Sequence, residues 1–301
     1  MTYSIVARDH ETGELGVAVQ SDWFSVGSVV PWAEAGVGAV ATQSFAERSY
    51  GPLGLELLRA GKSPQQAIAA LGSVDAEQAR RQVAIVGAAG EAAAHTGSGC
   101  IAEAGHVVGE GEGFTCQANM MERATVWEAM AQAYREGTGR LAERLLAALD
   151  AAEGEGGDIR GRQSAAILVV TGTPSGRPWD DRRIDLRVEN HPDPLPELRR
   201  LVSLHEAYRL NSVAEELLMA GDVEGAGRVN ARALELGPDD VQLAFWSGLT
   251  LAGMGKLDEA RTLIARARAA NGRYAEMLRR VAAAGLFPKD DGLLDALLAE
   301  D

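Results

Sequence analysis

The stretch Tyr3-Ser4-Ile5-Val6-Ala7-Arg8-Asp9-His10-Glu11-Thr12-Gly13-Glu14-Leu15-Gly16-Val17-Ala18-Val19-Gln20-Ser21 decides the fold class. Two short apolar runs, Tyr3 to Arg8 and Leu15 to Ser21, flank a polar connection with glycine near its end, which predicts a β-hairpin. Val26 to Val30 and Gly36 to Thr42 repeat the theme, with the prolyl and glycyl segment between them supplying the break, so four strands are expected before any helix. A doubly wound parallel sheet would place single helices between successive strands, and consecutive hairpins argue against it.

From Gly54 the apolar spacing changes to about 3.6. Leu55, Leu57 and Leu58 mark one helix, and Ala67, Ile68 and Leu71 mark a second, whose start at Ser63-Pro64 suits a capping serine and a first-turn proline. Gln82 to Val86 and Ala92 to Thr96 predict another hairpin around Gly87-Ala88-Ala89-Gly90, and Gly105 to Gly113 is strand-like. Val126 to Tyr134 and Leu141 to Ala151 are amphipathic, and Ser164 to Val170 with Ile184 to Val188 are the last strands. Strand runs alternating with helix pairs favour an α+β fold of two sheets covered by helices on both outer faces, because every apolar face needs a partner layer.

His191-Pro192-Asp193-Pro194-Leu195-Pro196 cannot continue a central strand, so residues 191–197 are expected to be a linker between a domain at 1–190 and a helical module at 198–301. In that module Ala207 to Asp240 overlays Val241 to Tyr274 with a period of 34 residues. Ala214 meets Gly248, Leu217 meets Leu251, Gly221 meets Gly255, Val223 meets Leu257, Ala226 meets Ala260 and Ala233 meets Ala267. Small residues at these positions let antiparallel helices approach closely, and the register resembles the tetratricopeptide repeat. Helical segments at Glu197 to Ala207 and Tyr274 to Ala284 would cap the stack.

The net charge of −14 opposes phosphate backbones and anionic membranes, so neither nucleic acid nor a lipid surface is an expected partner. No apolar run reaches the roughly 18 residues of a membrane span, and the first residues lack a basic start followed by an apolar block; the expected location is the cytoplasm. The two cysteines, Cys100 and Cys116, imply neither a disulfide framework nor a common zinc pattern.

Thr2 is the residue with the most chemical potential. Removal of Met1 would leave it with a free α-amine, whose pKa of about 7.7–8.0 suits a general base for its own hydroxyl. The ordinary alternative is that Met-Thr starts occur widely without such chemistry.

Several stretches taken in order carry a resemblance: Thr2-Tyr3-Ser4-Ile5-Val6-Ala7-Arg8-Asp9, Gly36-Val37-Gly38-Ala39-Val40-Ala41-Thr42-Gln43, Ala94-His95-Thr96-Gly97, Gly109-Glu110-Gly111 and Gly157-Asp158-Ile159-Arg160-Gly161-Arg162-Gln163-Ser164-Ala165-Ala166. They resemble the bacterial domain of unknown function 1028 family, assigned to the N-terminal-nucleophile (Ntn) hydrolase superfamily. The resemblance spans residues 2 to about 190. It implies a four-layer αββα sandwich, and a tail sometimes described as peptidoglycan-binding. By the superfamily's logic the nucleophile matches Thr2, the strand-to-helix turn at Gln43-Ser44-Phe45 supplies oxyanion donors, and Asp158 stands where an aspartate orients the terminal threonine. One departure concerns peptidase activity: proteasome-type relatives carry an early lysine, and the first lysine here is Lys62.

Other candidates come from residue chemistry alone. Arg160, Arg162, Gln163 and Ser164 concentrate donors before an apolar strand, where they would bind a carboxylate or phosphate, or form a solvated loop with structural ion pairs. Gln117, Asn119 and Gln43 would offer amide hydrogen bonds to a substrate or cap turns. His95 and His106 near Cys100 suggest an imidazole-assisted thiol or a metal site, against the commoner reading of histidines bonded to backbone and a small apolar cysteine. Three functions follow: an amide hydrolase acting through Thr2 on a small amide or peptide-like substrate without a cofactor; a non-catalytic scaffold holding a peptide or partner helix in the repeat groove; and a Cys100-centred or metal-assisted hydrolase. Exposed sheet faces and superfamily analogy favour a homodimer.

Overall fold

The computed structural model describes residues 2–286 and 291–299. The chain divides into two compact units, Met1–Arg200 and Leu201–Asp301.

The first unit is a mixed α+β structure in the expected order of strands, two helices, strands, two helices and strands. It comprises β1 (Thr2–Arg8), β2 (Leu15–Ser21), β3 (Pro31–Glu34), β4 (Gly38–Ser44), α1 (Tyr50–Arg59), α2 (Pro64–Ser73), β5 (Arg81–Gly87), β6 (Ala92–Thr96), β7 (Gly105–Gly109), β8 (Phe114–Asn119), α3 (Val126–Glu136), α4 (Leu141–Gly154), β9 (Ser164–Val170) and β10 (Arg182–Val188). One antiparallel sheet runs β10-β9-β2-β1-β8-β7 and the other β3-β4-β5-β6.

The two sheets bury their inner faces against each other. Val6, Val17 and Val19 from the larger sheet share one core with Ala39, Ala41, Ala84 and Val86 from the smaller. Period-2 alternation sends the intervening residues the other way: Val40, Val83 and Ile85 pack on Tyr50 and Leu55 of α1 and Ala67 and Leu71 of α2. On the larger sheet, α4 comes so close to β2 that a Cβ at Gly16 would lie 2.7 Å from Leu145 Cδ1. The helix α2 begins as its sequence indicates: the Ser63 hydroxyl accepts from Gln66 N–H and the Gln66 side chain accepts from Ser63 N–H, with Pro64 in the first turn.

Three expectations are corrected. Val26–Ser28 forms a 3₁₀ turn, and the third strand is Pro31–Glu34, the segment read as a break. Proline is tolerated there because β3 is an edge strand and Pro31 its first residue. Phe114–Asn119 is a full strand, although its polar residues suggested turn caps. Thr115, Gln117 and Asn119 do alternate with Phe114, Cys116 and Ala118, but both sets are buried. The stretch 191–197 is not a free linker, since α5 runs from Pro194 to Met219. Pro194 and Pro196 fall in its first turn, where backbone N–H groups have no intrahelical acceptor to lose.

Beyond α5 the second unit contains α6 (Val223–Leu236), α7 (Val241–Gly253), α8 (Leu257–Ala270), α9 (Arg273–Ala283) and α10 (Asp291–Leu298). Some pairs of the 34-residue overlay share surroundings, whereas Val223 is exposed and its counterpart Leu257 packs against the core of the helical unit. Gly221 and Gly255 each occupy an interhelical turn with φ of 86° and 78°, with open space where a Cβ would stand, so backbone conformation rather than crowding requires glycine there. Ala226 with Ala260 and Ala233 with Ala267 are fully buried. Phe245, Leu249 and Leu251 of α7 pack with Ala260, Ile264 and Ala267 of α8.

Candidate functional site

Thr2 opens β1, a strand paired on both sides and placed at the inter-sheet core. Its hydroxyl lies 3.1 Å from Ser21 Oγ on β2. Its carbonyl oxygen accepts from Gln43 Nε2 at 3.2 Å and Asn119 Nδ2 at 3.3 Å. Those amides belong to a buried polar network between the sheets: Gln82 Oε1 accepts from Gln43 and Asn119, each at 2.8 Å, and Ser4 Oγ donates to Gln43 Oε1 and accepts from Gln117 Nε2, both at 2.6 Å. Gln117 Oε1, Asn119 Oδ1 and Thr115 Oγ1 are buried with no hydrogen-bond partner among the described residues. Low dielectric strengthens the satisfied bonds of such a network and penalises any bond removed from it.

A cavity of about 510 Å³ adjoins this network. Thr2, Gln43 and Ser44 contribute its polar lining, and Val26, Val29 and Val30 an apolar wall. Trp23, Phe45 and Ile101 line its exposed side, each 41% or more accessible, an unusual exposure for large apolar groups around one opening. Arg48 and Arg81 bring positive charge, and with Ala46 the lining contains no carboxylate among the described residues.

Backbone strain gathers around the same cavity. Among the described residues, Ser25, Ser44 and Met120 are the non-glycine residues with left-handed φ, at 56°, 70° and 60°. Ser44 lines the cavity, Ser25 lies between its lining residues Trp23 and Val26, and Met120 N–H donates to the carbonyl of the lining residue Ile101 at 2.9 Å. Held strain of this kind concentrates at functional sites.

The two arginines differ. Arg81 is ion-paired with Asp75 at 2.7 Å and also donates to the Phe45 carbonyl. The Arg81 guanidinium, with Glu77 N–H and Tyr50 OH adding to it, holds the Asp75 carboxyl down at about 2. Arg48 is exposed and has no ion partner among the described residues. Glu47, beside it in the chain, turns its carboxylate to Ser49 N–H at 3.0 Å, which keeps that acid below its ordinary pKa.

The structure brings Thr2, Gln43, Ser44 and Phe45 together at the cavity. The remaining candidates take supporting places. Asp158 is not among the lining residues; its carboxylate accepts from Arg160 Nε and Nη2 at 3.1 and 2.8 Å and from Asp22 N–H at 3.2 Å, which connects it to Thr2 by way of Asp22 and Ser21. Arg162 pairs with Glu153 and Asp193 at 3.4 and 2.8 Å, and Gln163 donates to Asn190. The Ser164 hydroxyl accepts from Val26 N–H and donates to the Trp23 carbonyl, fixing the segment that walls the cavity. Gln117 and Asn119 are network members on β8 rather than surface amides. His95 Nε2 faces the Gln78 carbonyl at 3.4 Å, Thr96 Oγ1 bonds His106 Nδ1 at 2.8 Å, and Cys100 Sγ donates to the Arg81 carbonyl. Burial, then the nearby His95, lowers the His106 pKa. No group of three or more His, Cys, Asp or Glu among the described residues is arranged to hold a metal ion.

Sequence reasoning missed Trp23, Arg48, Arg81 and Ile101. Adjacent aromatics in a loop, as in Trp23-Phe24, were a usable signal, whereas nothing local ties Arg48 or Ile101 to Thr2.

Residues 2–198 match the family of unknown function DUF1028. The chain belongs to the DUF1028 family. The crystal structure of a DUF1028 protein, SPO2555 from Silicibacter pomeroyi, is similar to it at 34% identity and a TM-score of 0.59, over 67% of this chain and 87% of that one. None of the curated proteins compared with this DUF1028 chain matches it. The match spans the α+β unit and stops within α5, so it leaves the helices of the second unit outside the family region. No helix among the described residues is long and apolar enough to cross a membrane.

Proposed function

We propose that this DUF1028 protein is an Ntn-type amide hydrolase, its two facing sheets and outer helix pairs being the four-layer sandwich of that superfamily. The observation that carries the reading is the position of Thr2: at the start of a central strand, its carbonyl gripped by two buried amides and the residue itself part of a cavity lining. Met1, whose removal the chemistry requires, lies outside the described residues.

With Met1 removed, the Thr2 amine takes the proton from Oγ1 as that oxygen bonds to the substrate's carbonyl carbon. The carbonyl π pair moves onto oxygen, and the C–N bond then breaks as the amine proton passes to the leaving nitrogen. Water hydrolyses the resulting ester and regenerates Thr2. The oxyanion needs donors ready before reaction. Phe45 N–H already donates to the Arg80 carbonyl at 3.4 Å, so the Ser44 hydroxyl and Ala46 N–H serve this role, both in the lining and neither with an acceptor among the described residues. Asp158 is a positioning residue, acting through Asp22 and Ser21.

Intact-mass measurement of protein produced without an N-terminal tag tests the first step, and retained Met1 would remove the proposed base. Turnover of an amide panel by wild type and Thr2→Ala tests the second; equal rates reject Thr2 as nucleophile.

A second reading concerns the helical unit alone. The matched turns at Gly221 and Gly255 and the buried Ala226/Ala260 and Ala233/Ala267 pairs support two tetratricopeptide-like repeats that hold a peptide or partner helix.

A further inference from the structure

We infer that the Thr2 cavity takes an N-acylated amino acid, an amide with an apolar acyl chain and a free carboxylate. This inference rests on the hydrolase reading above and names its substrate class.

The charge pattern points to an anion. Acidic residues outnumber basic ones 43 to 29 in this chain, yet among the described residues the cavity lining carries two arginines and no carboxylate. Arg81 is already neutralised by Asp75 and holds the Phe45 carbonyl. Arg48 alone keeps a guanidinium without an ion partner among the described residues, and the neighbouring Glu47 carboxylate is engaged by Ser49. A planar guanidinium suits bidentate pairing with a carboxylate.

The remaining lining is apolar. Val26, Val29 and Val30 form a wall, and the exposed Trp23, Phe45 and Ile101 extend it outward. An extended acyl chain can leave water along this surface while its amide carbonyl reaches Thr2 and Ser44. A volume near 510 Å³ falls within the range of small-molecule sites.

The test uses binding, which is independent of turnover. N-octanoylglycine is titrated calorimetrically into the full-length Thr2→Ala protein, beside octanamide, which lacks the carboxylate, N-acetylglycine, which lacks the chain, and N-octanoyl-triglycine, which moves the carboxylate outward. We expect saturable one-to-one binding of N-octanoylglycine and at least tenfold weaker binding of each comparison compound. Arg48→Gln in the same background should weaken N-octanoylglycine at least tenfold and leave octanamide unchanged, and Arg48→Lys should restore part of the loss. Absence of saturable binding, equal binding of octanamide, or an indifferent Arg48→Gln protein with unchanged circular dichroism overturns the inference. Tighter binding of the triglycine compound overturns it in favour of a peptide end. If the binding pattern holds while wild type cleaves no amide, the hydrolase reading fails and the ligand class stands; if wild type cleaves neutral amides preferentially, the reverse is true.

Discussion

Gln43 Nε2 donates to the backbone carbonyl of Thr2 at 3.2 Å, from a side chain that is itself 1% exposed. A residue expected to face the oxyanion therefore points its amide into the core and sets the position of the candidate nucleophile from behind. Gln43→Met keeps the volume but removes the bonds to Thr2, Ser4 and Gln82. Loss of buried partners predicts destabilisation of about 2 kcal/mol, measured by urea unfolding, together with reduced turnover. A stability within about 0.5 kcal/mol of wild type would mean that the network does not hold Thr2.

Ser44 holds a left-handed backbone at φ 70° beside the cavity. Glycine relieves that conformation, so Ser44→Gly is expected to stabilise the protein by about 1 kcal/mol, seen as a melting temperature higher by about 2–4 °C. The same change removes the hydroxyl proposed as an oxyanion donor, and under that proposal turnover should fall. A variant less stable than wild type would contradict the strain argument.

Asp75 and Arg81 link the cavity to acid stability. Because the folded carboxyl titrates at about 2, below its unfolded value, the contribution to stability is complete above the unfolded pKa and disappears as pH falls through about 2. Asp75→Asn should therefore lower stability at neutral pH and flatten the loss between about pH 4 and 2, followed by chemical denaturation across pH. An unchanged slope would assign the acid sensitivity to other carboxylates.

Gly221 and Gly255 make equivalent demands on the helical unit. Alanine at either position must adopt a left-handed backbone, at a cost of about 1 kcal/mol. Both substitutions should lower its stability by similar amounts while sparing the α+β unit, as hydrogen exchange would report. A large difference between them would count against the proposed pair of repeats.

Much of the architecture was legible because its signals are local. The hairpin at Tyr3–Ser21 and the Ser63-Pro64 helix start each depend on neighbours within a few turns of chain, and the 34-residue spacing is a periodicity read directly along the sequence. The errors arose where tertiary placement reversed a local preference. Pro31 belongs to a strand because that strand is an edge, the prolines near 194 begin a helix because its first turn spares their missing N–H groups, and β8 escaped notice because its polar residues face another sheet instead of water.

The site divides along the same line. Thr2 is singled out by chemistry and chain position, and Gln43 and Ser44 by what the family resemblance implies; the cavity lining contains all three. Arg160 and Arg162 have the chemistry to bind an anion or to form structural ion pairs, and their charges are spent on Asp158, Glu153 and Asp193. Sequence by itself determined the order of strand runs and helix pairs and the spacing of the glycine turns in the helical unit, since these follow from periodicity and turn chemistry, and it offered Thr2 as a candidate nucleophile on intrinsic chemistry alone. Only the tertiary structure decided which cation stays unpaired at the cavity and which amides grip Thr2, because pairing and burial are set by residues up to about a hundred positions apart meeting across two sheets.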